Sequence, residues 1–225
     1  MQPPYSVVPH SLSAIESTIS PARLHRYLPS TSVDKNLALR TYVWNARLCE
    51  ALYLPVQIAE ITIRNAIFKA VEKHYGSACF NNTAFIQNLP DRLRRELEAT
   101  KKKEQKTYGS KTTNNHIISG LSFGFWVQLL TKKFDNHLWP QHFPTSFPQL
   151  PPGVTREALH TKANDLRLFR NRIAHHKPVF DRSPSKEFNS LLELTGWVCE
   201  ETKWLIKQTN RVSRTINQRP KVHIP

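Results

Sequence analysis

The segment NDLRLFRNRIAHHKPVF gathers Arg167, Arg170, Asn171, Arg172, His175 and His176 into ten positions at the end of a helical pattern. These types suit RNA cleavage without a metal. That reaction needs a group to take the proton from a 2′-hydroxyl, a cation to hold the scissile phosphate, and donors for the charge that develops. His175 fits the first role, because histidine exchanges protons close to neutral pH. Arg170 fits the second, since its planar fork binds two phosphate oxygens and keeps its charge. Asn171 supplies a neutral donor. On a helix Arg167, Asn171 and His175 follow at i, i+4 and i+8 as a polar ridge, while Leu166, Phe169 and Ile173 form an apolar stripe. Arg170 and His175 lie five apart, about 140° around a regular helix, so they converge only if the last turn loosens. Pro178 favours such a loosening, because it disfavours helical geometry at Lys177. Read by physics alone, the same segment also fits a solvated basic helix end with a paired histidine.

Other chemistries are poorer fits. His175 and His176 are adjacent, so on a helix they point about 100° apart, and no nearby carboxylate completes a metal set. Cys49, Cys79 and Cys199 are odd in number and widely spaced, without a CxxC pair, which argues against a disulfide framework or a zinc site and fits a reducing cytosol. Neither a phosphate-binding Walker loop nor a dinucleotide glycine fingerprint occurs, and no cofactor is expected.

The elements that must carry this segment read as helices throughout, with no stretch of period-two alternation long enough for a sheet. Residues 1 to 20 are polar with prolines at 3, 4 and 9 and read as a flexible arm. Ser20-Pro21 is an N-cap followed by a first-turn proline and opens a short helix to about Leu28. Helical pattern then runs from Asp34 to Tyr75, and Pro55 is expected to divide it. In its second half Ile58, Ile61, Ile63, Ile67, Phe68 and Val71 cover more than one face, which marks a central core helix. On that helix Gln57, Glu60 and Arg64 form a narrow polar stripe, either a surface i, i+4 ion pair between Glu60 and Arg64 or the lining of a site.

Pro90 begins another helix with Leu93 and Leu97 as apolar anchors and the basic run Lys101 to Lys103 at its far end. A helix from about Asn114 leads into LSFGFW, where Gly120 and Gly124 permit close approach of a neighbour. Five prolines in WPQHFPTSFPQLPPG make a rigid, irregular connector whose aromatics still pack. Helices from about Thr155 to His176 and from about Pro184 to Thr209 follow, and a basic, mobile tail from residue 211 closes the chain.

Thirty-two Lys and Arg against 17 Asp and Glu give a net charge of +15 over 225 residues, a field that attracts polyanions, nucleic acid first among them. A solvated cationic surface would carry the same charge. The first twenty residues lack Lys and Arg, and no run approaches 18 apolar residues, so neither a signal peptide nor a membrane span is expected.

Four segments in order, PARLHRYL at 21 to 28, YVWNARLCEALYLPVQIAEITIRNAI at 42 to 67, LSFGFWVQLL at 121 to 130 and RNRIAHHKPVF at 170 to 180, resemble the Abi-like (abortive infection, AbiD/AbiF type) proteins, a branch of the HEPN superfamily. The resemblance implies an all-α, HEPN-type helical bundle over residues 21 to 210, with additional helices and the Pro-rich connector. It also implies a homodimer or higher oligomer in which two R-x4-6-H motifs meet across a twofold axis as a composite ribonuclease site. Arg170 and His175 match that motif, with Asn171 at its usual polar second position. His176, Arg172, Arg167 and Lys177, together with Glu60, Arg64 and Asn65 from the family-like IRNAI segment, are expected to support the site or bind RNA. Lys177 stands where such proteins often have Glu. Proteins of this kind are associated with bacterial defence against phage, as toxins that cleave cellular RNA. The resemblance therefore implies a cytoplasmic, metal-independent endoribonuclease with an RNA or protein antitoxin as a further partner. The alternative is a binding module that grips RNA, or a small RNA antitoxin, without cutting it.

Overall fold

The computed structural model describes residues 9–28, 34–139 and 141–220, apart from the side chain of Pro9. Among these residues there is no strand, and the fold is all-α. In chain order the helices are α1 (Pro9–Ile19), α2 (Pro21–His25), α3 (Lys35–Tyr75), α4 (Thr83–Asn88), α5 (Asp91–Tyr108) and α6 (Asn114–Gly120). They continue as α7 (Phe123–Gln128), α8 (Phe143–Ser146), α9 (Arg156–Ala174), α10 (Pro184–Gly196), α11 (Glu200–Thr209) and α12 (Val212–Ile216). No described helix is long and apolar enough to cross a membrane.

The chain divides into two compact units whose segments interleave. The first comprises the described residues up to Pro55, then Phe169–Asn189, then those from Thr209 on; the second comprises Val56–Leu168 and Ser190–Gln208.

In the first unit, α1 corrects the expectation of a flexible arm for residues 9–20; residues 1–8 of that arm lie outside the described residues. Leu12, Ile15 and Ile19 repeat at i, i+3 and i+7, and this stripe packs with Leu24 of α2 and Leu39, Tyr42 and Val43 of α3. Polar residues between the stripe positions hide it from a composition reading. Glu16 also pairs with Lys35 at 2.7 Å. Ser20 caps α2 as expected, its hydroxyl accepting from Arg23 N–H at 3.2 Å.

The end of the chain is likewise docked rather than loose through residue 220, while residues 221–225 of the expected mobile tail lie outside the described residues. Val212 is fully buried, the Trp44 indole N–H donates to the Thr215 carbonyl at 2.7 Å, and the Arg219 guanidinium lies over the rings of Trp44 and Phe180 at 5.5 and 5.4 Å. One buried valine, the indole hydrogen bond and the cation–π clamp outweigh the charge count.

Pro55 does not interrupt α3. A proline inside a helix removes the bond to the carbonyl four residues back. Here flanking burial compensates: Leu52, Val56 and Ala59 are in the core and Pro55 itself is buried. The boundary between the two units nevertheless falls just after it.

In the second unit Ala59, Ile63, Ala66, Ile67, Ala70 and Val71 of α3 are buried, as are Leu93 and Leu97 of α5. Gly120 permits the expected close approach, since a Cβ there would sit 2.8 Å from Thr100 Cγ2 and 3.1 Å from Glu104 Oε1 of α5. The Pro-rich connector holds one helical turn, α8, where irregular structure was expected; Phe143 and Phe147 are fully buried, and Pro140 is not among the described residues.

The last long helix is two. α10 ends at Gly196, where a Cβ would meet Lys203 Cδ at 2.7 Å and Glu200 Oε1 at 2.9 Å, so the chain turns tightly before α11 starts. The Trp197 carbonyl, left outside a helix, accepts from Gln149 N–H at 3.0 Å.

Candidate functional site

The end of α9 belongs to the first unit from Phe169 on. His175 N–H still bonds the Asn171 carbonyl at 3.0 Å, so the helix keeps its geometry past Arg170. It then closes in a Schellman motif: His176 N–H returns to the Ile173 carbonyl at 3.1 Å and Lys177 N–H to the Arg172 carbonyl at 2.9 Å. The residue that must turn left-handed is His176, at φ 54°. Glycine usually fills this position, and a side chain there carries strain that the surroundings must hold.

The surroundings do so from several sides. Arg172 donates from Nε to the Pro178 carbonyl at 3.0 Å and from Nη2 to Asp181 Oδ1 and Oδ2 at 2.9 and 3.0 Å. Val179 N–H donates to Oδ1 of the buried Asn45 at 2.9 Å, and Asn45 Nδ2 faces the Tyr27 hydroxyl at 3.5 Å. Phe180 packs on Tyr27 and Trp44, with ring centroids 5.6 and 6.1 Å apart. The loop that follows the helix is therefore pinned by an ion pair, a buried amide and aromatic packing.

The pinned loop forms one wall of a cleft of about 310 Å³, contributed by His175, His176, Lys177 and Pro178. The facing wall comes from α2 and the residues after it: Ala22, Arg23, Arg26 and Tyr27. Their i, i+1, i+4 and i+5 spacing puts them on one helical face. Arg23, Arg26, His175, His176 and Lys177 are all exposed, so the cleft presents three fixed cations and two imidazoles to solvent. Burial, then the neighbouring Tyr42 and Cys49, push the Tyr27 phenol up to about 12 against the lowering effect of Arg23 and Arg26. It remains a hydroxyl donor at neutral pH. A cleft of this make-up attracts an anion and can move a proton beside it.

The expected site residues thus separate. His175, His176 and Lys177 line the cleft. Arg170 is half-buried, donates to Asn171 Oδ1 at 3.4 Å, and is not part of the cleft lining. Because the last turn does not loosen before His176, the angular separation read from the sequence persists. Arg172, expected to support the site or touch RNA, is engaged by Pro178 and Asp181 and acts on the loop.

Arg167, Glu60, Arg64 and Asn65 belong to the second unit. Arg167 holds Asn164 Oδ1 from Nε and Nη2 at 3.0 and 2.8 Å. Glu60 and Arg64 form the i, i+4 ion pair at 2.6 Å, with only 10% and 14% of their side chains exposed, so the pair is nearly buried rather than on the surface. Asn65 is exposed.

Sequence reasoning missed Arg23, Arg26 and Asn45 as parts of this site. Arg23 and Arg26 each precede a buried residue, Leu24 and Tyr27, and Asn45 is a polar residue amid the apolar positions Trp44 and Leu48; both patterns were visible signals. Among the described residues no three His, Cys, Asp or Glu side chains are grouped to hold a metal ion. Compared with known protein families, curated proteins and solved structures, the chain matches none.

Proposed function

We propose that this protein is a metal-independent endoribonuclease of HEPN type, and that the cleft beside His176 receives the scissile phosphate. The observation that carries the reading is the cleft itself, in which two exposed histidines share one wall and face two arginines, with Lys177 beside them. His175 takes the proton from the 2′-hydroxyl, and the 2′-oxygen attacks phosphorus. His176 gives a proton to the departing 5′-oxygen. The products are a 2′,3′-cyclic phosphate and a free 5′-hydroxyl. Arg23, Arg26 and Lys177 hold the phosphate oxygens in this scheme, and Tyr27 offers a neutral donor.

Arg170 stands outside the cleft lining, and in this proposal the motifs of two copies meet across a twofold axis. In that arrangement Arg170 with Asn171 meets a strand held by both copies. The resemblance to abortive-infection proteins makes a growth-arresting toxin of phage defence the biological setting, with an RNA or protein antitoxin as partner. Three free thiols suit a cytosolic home.

The test is incubation of the purified chain with end-labelled single-stranded RNA, and with DNA of the same sequence, in excess EDTA. The reading expects cut RNA with cyclic-phosphate ends and intact DNA, because DNA lacks the nucleophile. Cleavage of both strands, or of neither, overturns it. RNA bound but left whole by the wild type supports the binding-module alternative.

A further inference from the structure

The first unit holds a second and larger cleft, of about 550 Å³, which no step of the proposed reaction uses. One wall is the α3 face Arg47, Glu50, Ala51 and Leu54, at i, i+3, i+4 and i+7. The opposite wall repeats that spacing at the chain end with Arg211, Arg214, Thr215 and Gln218; Thr209 closes the rim. The cleft is thus a groove between two helical faces. Among the described residues it contains three guanidinium groups against one carboxylate, with Ala51 and Leu54 as the apolar lining.

That composition disfavours an amphipathic peptide helix, which needs a long apolar stripe. It favours phosphates, for which arginine's fork is shaped. Arg47, Arg211 and Arg214 are exposed along the groove. The wall that carries Arg211 and Arg214 is fixed: Val212 N–H is held by Asn210 Oδ1 at 3.1 Å, and the Arg211 carbonyl accepts from Thr215 N–H at 3.0 Å and from its hydroxyl at 2.9 Å.

The groove also connects to the histidine cleft through side chains of the same unit. Thr215 lines the groove and takes the Trp44 indole N–H; Trp44 packs on Phe180, and Phe180 on Tyr27, which lines the histidine cleft. Arg219 lies over Phe180 and Trp44 along that row and adds a cation between the two clefts.

We infer that the Arg47–Arg211–Arg214 groove is a phosphate-binding exosite that holds the RNA strand beyond the cut. It rests on the proposed function for the identity of the strand as RNA and for the cut; phosphate binding by the groove stands on its own lining. Backbone binding of this kind releases counterions, so log K falls with log salt by about 0.7 per phosphate neutralised on a single strand.

The experiment uses the full chain carrying His175→Ala, so that RNA stays whole, and measures binding of a labelled single-stranded 12-mer across a salt series. Arg211→Gln with Arg214→Gln is expected to flatten the log–log slope by about 1.4, two phosphates' worth, and to weaken binding roughly tenfold or more at moderate salt. Arg47→Gln alone, on the wall formed by the long helix, is expected to flatten it by about 0.7. Glu50→Gln is expected to tighten binding. Because Arg47 and Glu50 variants leave the C-terminal wall intact, they decide the matter if the double variant does not fold.

An unchanged slope in folded variants overturns the exosite. So does ATP that binds the groove saturably without displacing RNA, which would assign it to a free nucleotide. With His175 restored, the double variant should raise KM for RNA and leave kcat alone. A wild type that cuts nothing but loses salt slope in these variants would refute the nuclease and keep the exosite; cleavage with unchanged slopes would do the reverse.

Discussion

Replacing Arg172 with Met separates positioning of the histidine loop from mere stability. Met keeps an unbranched apolar stem and removes the guanidinium. Lost are the bonds from Nε and Nη2 to the Pro178 carbonyl and the two-oxygen contact with Asp181. The Asp181 carboxylate is 51% exposed and Arg172 27%, so water screens their pairing, which contributes about 0.5 kcal/mol. A charged donor on a half-buried carbonyl contributes more, about 1.5 kcal/mol. The expected loss is therefore about 2 kcal/mol for Arg172→Met and about 0.5 kcal/mol for Asp181→Asn. Urea unfolding followed by circular dichroism measures both as a lower midpoint at constant slope. RNA cleavage should fall about tenfold in Arg172→Met at temperatures where it is fully folded, because the strained turn at His176 loses its tether, a displacement of the kind that lowers proximity effects. Equal destabilisation by the two variants would refute the assignment of the larger share to the Pro178 carbonyl. Unchanged cleavage in Arg172→Met would refute the positioning role.

Further consequences follow from the same geometry. His176→Gly relieves a left-handed side chain, about 1–2 kcal/mol, against about 0.5–1 kcal/mol of added unfolded-state entropy, so it should be the more stable protein by roughly 0.5–1 kcal/mol while cleaving RNA poorly. A less stable or fully active Gly variant speaks against this account. In the second unit His74 contacts His142, Nδ1 to Nε2 at 3.1 Å, and burial, then His142 and His137, lower its pKa; burial, then Arg156 and Arg167, lower that of His160. A depressed histidine makes the unfolded chain bind more protons, so stability is full above about pH 7 and declines as pH falls through the unfolded value near 6.5. An NMR titration should find His74 titrating higher in His142→Gln, with a shallower acid decline; no change in either would contradict the His–His contact. Burial pushes the Cys49 and Cys79 thiols up to about 11, so at pH 8 about one in a thousand of each is thiolate and both should alkylate slowly in native protein, as timed mass spectrometry would read.

Much of this fold is written in local signals. Ser20-Pro21 opens α2, Pro90 opens α5, and the apolar stripe of Leu166 and Phe169 in α9 is buried as its spacing requires. The failures arise where packing overrides a local rule. Pro55 stays inside α3 because its neighbours are buried, and α1 and α12 dock through a few apolar residues in polar stretches. The break after Gly196, against which the Lys203 and Glu200 side chains pack, is announced by no periodicity.

The site divides in the same manner. The density of Arg and His in RNRIAHH is legible as a surface feature, and the left-handed turn at His176 lies just before the Lys177-Pro178 pair. The partners are not legible, because they come from far along the chain: Arg23 and Arg26 face His175 from about 150 positions away, and Asn45 holds Val179 across 134. Arg172 reads like any other arginine of the ridge until its contact with Asp181, nine residues on, is known.

The proposed nuclease is tested most directly by comparing RNA cleavage in EDTA by the wild type, Arg170→Ala and His175→Ala, each folded by circular dichroism and used at equal concentration. Expected are cyclic-phosphate products from the wild type and a loss of about 100-fold or more in each variant, the scale of a removed general base or charge-stabilising donor. Equal cleavage by all three would contradict it.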